Sequence, residues 1–419
     1  MPSASLSAPA LARPERSPMK PLDQALAELL ASAATPERTE SVSTFDADGR
    51  VLAQDLRSSL DVPAHDNSSM DGYAVRCADW LSLDTLLQVS QRIAAGGSVH
   101  ALAAASVARI FTGAPIPPGA DAVVMQEDCD AVEGGGRIRV PPRPGQWIRR
   151  HGEDVRAGAV VLARGTRLSP ASLGLAASIG FDKLQVAPRV RVALFSTGDE
   201  LVMPGDVAPG DMKPGAIYNS NRFFLKALLQ RLGCTVTDLG IVPDRLEATI
   251  EALRGASQHH DLILTSGGVS VGEEDHIKPA VQALGELNLW QIAIKPGKPF
   301  AYGKIGAAHF IGLPGNPVSS FVTFLLLVRP FLLKLQGGTM LAPESIALHA
   351  NFDWPKADKR REFLRVRLDS SGGLELFGNQ SSGVLTSAVW GDGLVDNPAG
   401  QTIACGEKVR FIAFSALLS

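Results

Sequence analysis

The chain has 419 residues, 45% hydrophobic and 20% charged, which excludes a disordered protein and points to about two to four domains. Forty basic against forty-three acidic residues leave a net charge of −3, so no global basic field recruits nucleic acid and an anionic ligand needs a local site. Cys77, Cys129, Cys234 and Cys405 form no C-x-x-C pair, which argues against structural zinc or a disulfide framework and fits a reducing cytoplasm.

Residues 1–20 are rich in Ala, Ser and Pro without a continuous apolar run, and read as a disordered tail rather than a signal peptide. Leu22, Ala25, Leu26, Leu29 and Leu30 recur at helical spacing. Between Arg76 and Arg150, short runs such as 107–111 and 122–125 alternate with Gly- and Pro-rich turns, the pattern of a small β-rich module. A strand and a helix over 169–179 follow, with Ser169 as cap and Pro170 as first helical residue. From Arg189 the rhythm changes to strand "RVALFS", helix "NRFFLKALLQRLG", strand "TVTDLGIV", helix "RLEATIEALRGAS" and strand "DLILT". A helix over 279–284, strands "LWQIAI" and "AHFIGL" and an apolar helix over 321–333 complete it. That helix is short of the roughly 20 residues needed to cross a bilayer, so it reads as buried core and no membrane partner is expected. The alternation predicts an α/β domain with a mostly parallel sheet covered on both faces. From about Pro343, "EFLRVRL", "LELFG" and "KVRFIAF" predict a small β-barrel or sandwich.

Ligands of open α/β sheets bind outside the carboxyl ends of the strands. Five strands here are followed by "TGDE", "PD", "SGGVSVGEEDH", "KPGKP" and "PGNPVSS", each with Gly or Pro beside a charged or hydroxyl residue. Asp244 and Asp275 each precede a helix and read singly as caps. If their strands are neighbours, however, the two carboxylates converge and Mg²⁺ bridging them to phosphate is the economical reading. Lys295 and Lys298 flank Pro-Gly, which aims both amines into one space. Pro314, Gly315 and Pro317 lead into a helix whose free N–H groups and Ser319 form an anion site. Residues 268–272 also match the G-x-S-x-G nucleophile elbow around Ser270. His276 is too close to complete a triad, His309 enters at the wrong strand end, and three nearby carboxylates oppose an oxyanion. Ser270 is therefore read as a hydrogen-bond donor.

Taken together, "DNSSMDGYAV", "TGAPIPPGADAVVMQE", "GEDV", "STGDEL", "SGGVSVGEEDH", "KPGKPFAYG" and "GLPGNPVSS" resemble the molybdopterin molybdotransferase family (bacterial MoeA and the gephyrin E domain), in the family's order from about Pro21 onward. The resemblance implies insertion of molybdenum from molybdate into adenylylated molybdopterin, with Mg²⁺-dependent release of AMP. It implies a homodimer that exchanges ligands with other proteins of cofactor synthesis. It also implies a discontinuous first domain (21–75 and 150–188), an inserted β-rich domain (76–149), a three-layer α/β/α molybdopterin-binding domain (189–338) and a C-terminal β-barrel (339–419). By position, Asp244 and Asp275 are the acidic pair at Mg²⁺ and pyrophosphate, and Gly267, Gly268 and Ser270 wrap the substrate. Lys295, Lys298 and Ser319 fall near molybdate, joined by Arg365 and Ser382. Asp71, Thr112, Asp154 and Glu200 match positions needed for activity, the first two reaching the other subunit's pocket. His65 and Gln291 depart from the residues that relatives more often carry.

Overall fold

A computed structural model describes residues 19–133, 135–268 and 276–418. The chain forms two compact units, one made of Ser41–Asp48 with Leu52–Gln185, the other of the remainder. In the first, a six-stranded sheet has the order Ala122–Met125, Gly72–Val75, Ser106–Ile110, Leu86–Ile93, Gly135–Ile138, Cys129–Val132. Only Leu86–Ile93 and Ser106–Ile110 run parallel. Alternate side chains leave on opposite faces, so Tyr73 and Val75 enter one apolar cluster and Ala74 another. The sheet takes in Gly72–Val75, so its first strand precedes the expected start at residue 76. The helix Pro170–Ser178 begins at Ser169, whose hydroxyl accepts the Ser172 N–H at 3.3 Å.

The second unit is built on a six-stranded sheet of order Thr235–Val242, Arg191–Thr197, Leu262–Ser266, Ala308–Leu313, Pro299–Ile305, Glu286–Gln291. Its first four strands are parallel, and the last two alternate in direction. Near-continuous apolar strands bury both faces: Val192, Leu194, Leu262 and Leu264 enter one cluster, Ala193, Phe195 and Ile263 the other. The covering helices are Asn221–Arg231, Leu246–His259, Ile277–Leu284 and the run Pro317–Leu335. That last run has 19 residues and mean hydropathy 1.8, enough by length and composition to cross a membrane, yet 78% of its most apolar window is buried inside the protein. It is the core helix of this unit.

One expected strand divides. "LWQIAI" becomes the edge strand Glu286–Gln291 and a short strand Ile294–Lys295, which pairs with Arg361–Leu368 instead. A short, mostly apolar run with Gln291 as its one polar residue carries too little period from which to read such a break. Pro299, read as the end of the "KPGKP" turn, opens the strand Pro299–Ile305, at a first position where a missing N–H is tolerated. The C-terminal strands form a sheet of order Ile294–Lys295, Arg361–Leu368, Gly393–Asn397, Lys408–Ala413, Ile346–His349, with Leu374–Leu376 added to Arg361–Leu368. Ala350, just after Ile346–His349, bridges to Leu374, so pairing returns from that edge to Leu374–Leu376.

Two glycines of the α/β layer make opposite demands. Gly255 is exposed within the helix Leu246–His259 and an added Cβ meets nothing within 4 Å, whereas Gly233 ends its helix at φ +78°. Gly255→Ala is expected to stabilise the protein by about 0.5–1 kcal/mol. Gly233→Ala should destabilise it by about 1–2 kcal/mol. Thermal unfolding followed by circular dichroism checks this, and shifts of the same sign in both variants would contradict the assignment.

Candidate active site

The carboxyl ends of the four parallel strands open into a cavity of about 790 Å³. All five turns picked out in the sequence contribute to it: Thr197, Gly198 and Glu200 after one strand, Asp244 after the second, Ser266–Gly268 after the third, and Pro314–Pro317 with Ser319 after the fourth. From the "KPGKP" turn, its last residue, Pro299, reaches the wall. The turn after Leu262–Ser266 is possible because Gly267 and Gly268 take φ +94° and +66° in succession, a conformation L side chains resist. The Gly267 N–H is not free for a ligand, since it donates to the Leu313 carbonyl at 3.0 Å.

Asp244 lines the cavity, but not as a helix cap. The N-cap of Leu246–His259 is Arg245, with no side-chain capping bond, and no hydrogen bond engages the Asp244 carboxylate among the described residues. Asp275 and Ser270 lie outside the described residues. The strands carrying Asp244 and the 265–276 motif are not neighbours, because Arg191–Thr197 lies between them. The carboxylate on that intervening turn is Glu200, so Glu200 and Asp244 share the described cavity wall.

The two lysines of "KPGKP" part company. The Lys295 ammonium donates to Glu362 at 2.9 Å and lies 3.5 Å from Asp358. Glu362 is 1% exposed and also accepts from Trp354 Nε1 at 2.8 Å. The Arg360 guanidinium holds the Asp358 carboxyl well below the usual carboxylate range. Lys295 is thus neutralised by the C-terminal sheet rather than left free for an anion, while no ion pair holds Lys298 among the described residues.

Arg365 is 1% exposed and has only neutral partners among the described residues: Ser387 Oγ at 3.1 Å, Phe363 O at 3.2 Å and Ser381 O at 3.2 Å. Burial pushes its guanidinium down to about 10, which leaves it charged at neutral pH. The Ser381 carbonyl that it binds begins the loop that runs to the cavity wall. The Ser382 carbonyl accepts the Val318 N–H at 2.9 Å, taking one of the helix donors expected to serve an anion, and Gly383 reaches the wall.

In the other unit, Asp71 and Thr112 meet. The carboxylate accepts from the Thr112 N–H and hydroxyl, both at 2.8 Å, and these bonds hold its pKa below the usual carboxylate range. Antiparallel pairing of Gly72 with Ile110 brings the two loops together. The Asp154 N–H donates to the Val62 carbonyl at 3.0 Å, and its side chain joins neither residue among the described contacts. Reading the sequence passed over Asn219 and Asn221, which line the cavity, and Glu362 and Asp358, which hold Lys295. The first pair looked like an ordinary helix start, and the second pair needs tertiary contacts to be seen.

Three family models match in succession: the MoeA N-terminal region (domain I and II) over residues 20–180, a "probable molybdopterin binding domain" over 193–334, and the MoeA C-terminal region (domain IV) over 347–414. A molybdopterin molybdenumtransferase of Haemophilus influenzae is 41% identical over 408 residues, covering 96% of this chain and 100% of the relative. Molybdopterin molybdenumtransferase 2 of Mycobacterium tuberculosis is 36% identical, covering 89% and 94%. The crystal structure of the molybdopterin biosynthesis MoeA protein of Pyrococcus horikoshii OT3 is 28% identical, with a TM-score of 0.80 over 94% of this chain and 100% of that one. Matched along nearly its whole length and in domain order, this chain belongs to the MoeA family of molybdopterin molybdenumtransferases, enzymes of the final step of molybdenum-cofactor biosynthesis.

Proposed function

We propose that this chain inserts molybdenum from molybdate into adenylylated molybdopterin and releases AMP in a Mg²⁺-dependent reaction. The observation that carries the reading is the cavity at the strand ends of the segment matched by the molybdopterin-binding model, where Asp244, Glu200, the Gly267–Gly268 turn and Ser319 face one space. The donor set fits Mg²⁺. Among the described residues no three His, Cys, Asp or Glu form a protein cage. Mg²⁺ instead commonly takes one or two carboxylates together with substrate phosphate and water. Asp244 would supply one carboxylate and Asp275 the other. When bound, the ion offsets charge on the phosphoanhydride oxygens.

The chain's own groups do the rest of the binding. Ser319 offers a hydroxyl to an oxyanion in the cavity, and the free Lys298 ammonium answers the molybdate dianion. Arg365 adds a fixed positive field from behind the loop that carries Ser382. The same proposal includes the four-domain layout with a C-terminal β-barrel, a cytoplasmic location and a homodimer. In that dimer Asp71, set by its bonds to Thr112, would serve the pocket of the second subunit, with Asp154 supporting activity from its own loop.

Four outcomes follow from this reading. Wild-type protein with adenylylated molybdopterin and Mg²⁺ releases AMP only when molybdate is added; AMP release without molybdate would sink the proposal. Asp244→Asn, which removes no described hydrogen bond, lowers kcat by roughly a hundredfold or more while the melting temperature stays close to wild type. Lys298→Ala raises the KM for molybdate about tenfold without loss of stability. Lys295→Ala instead lowers stability by about 1–3 kcal/mol, because it leaves buried Glu362 without its cation. Equal behaviour of the two lysine variants in steady-state kinetics and thermal melts would refute their separate roles.

A further inference from the structure

Asn219 and Asn221 flank the start of the helix Asn221–Arg231, and both line the cavity. They are 2% and 8% exposed. Each amide is half used. Asn219 Oδ1 accepts the Arg222 N–H at 3.3 Å, which caps the helix, and its Nδ2 has no partner. Asn221 Nδ2 donates to the Gly315 carbonyl at 2.7 Å and to Ser266 Oγ at 2.7 Å, and its Oδ1 has no partner. The orientation of both amides follows from these contacts, because a backbone N–H only donates and a carbonyl only accepts. The wall therefore holds one buried donor and one buried acceptor, two residues apart, that the described protein leaves unpaired. Leaving such a group unmet costs about 1–3 kcal/mol, so each calls for an explanation.

A ligand is the fitting explanation, and the pair restricts its chemistry. Phosphate and molybdate dianions offer acceptors only, so they would satisfy Asn219 Nδ2 and leave Asn221 Oδ1 facing another oxygen. A lone amino group would do the reverse. A heterocycle edge carrying an N–H donor beside an acceptor meets both at once. We propose that Asn219 and Asn221 recognise such an edge, the donor–acceptor face of a nitrogen heterocycle, and so act as binding residues that orient the substrate over the strand ends. This rests on the proposed function, whose substrate offers that chemistry in two places: the pterin ring and the adenine of its adenylyl group.

Asn219→Asp separates recognition from structure. The aspartate keeps an oxygen for the Arg222 N–H at the helix N-terminus, while its second oxygen is buried without a partner, so the fold should be kept with a modestly lower melting temperature. It removes the amide donor. Binding to the full-length protein is measured calorimetrically with AMP, 6-hydroxymethylpterin and pyrophosphate, the last reporting the effect of the added charge. The expected result is a loss of about tenfold or more for one heterocyclic probe beyond any change for pyrophosphate. A selective fall for AMP identifies adenine as the ligand, and a selective fall for the pterin identifies the pterin ring. The inference is overturned if wild-type protein binds neither heterocyclic probe, if neither weakens in the variant, or if AMP only falls in parallel with pyrophosphate while the pterin is unchanged. Failure of the enzymatic reading is a different result, absence of molybdate-dependent AMP release by wild-type protein.

Discussion

The site depends on a sheet that is sealed on both faces. Along Arg191–Thr197, Val192 and Leu194 enter one apolar cluster while Ala193 and Phe195 enter the other, and Leu262–Ser266 divides in the same way. Polar chemistry has no place on such a surface, because a buried polar group without a partner is costly. It is confined to the strand ends, and parallel strands all end on one side. Glu200, Asp244, Gly267 and Ser319 are far apart in the chain yet share one cavity for this reason. The cavity wall holds a carboxylate without a described bond and two half-satisfied asparagine amides.

A second constraint ties the α/β layer to the C-terminal sheet. The short strand Ile294–Lys295 leaves its expected continuation and pairs with Arg361–Leu368, setting Lys295 against buried Glu362. Two cations, Lys295 and Arg360, then stand with two anions, Asp358 and Glu362, so this group presents little net charge. Lys298, outside this group, has no ion pair among the described residues. Among the described residues, Arg365 binds only neutral oxygens in a poorly solvated place, where its field is weakly screened.

Much of this was legible in the linear chain, though unevenly. The helices at Leu22–Ser32, Pro170–Ser178, Asn221–Arg231 and Leu246–His259 fall where apolar spacing and caps put them. The strand-end turns announced the cavity because Gly and Pro stand beside charged and hydroxyl residues after five strands in succession. Roles within the turns were harder to read. Asp244 looked like a cap and is not one, since Arg245 takes that position. Lys295 and Lys298 looked alike and are not, since the difference lies in Glu362, 67 residues further on. Asp71 and Thr112 each matched a family motif, but their mutual hydrogen bonds come from an antiparallel register that neither motif contains.

The sequence by itself determined the family, the alternation of strand and helix, and which turns carry chemistry. Those properties are written in residue type and short spacing, and period, turn residues and motif order need nothing distant to be read. Only the tertiary structure decided which of the candidate groups are free. Whether a carboxylate, an ammonium or an amide is already engaged depends on what packs against it from remote parts of the chain. That is why Lys295 is neutralised while, among the described residues, the Asp244 carboxylate has no hydrogen-bond partner and the Asn219 and Asn221 amides are only half paired.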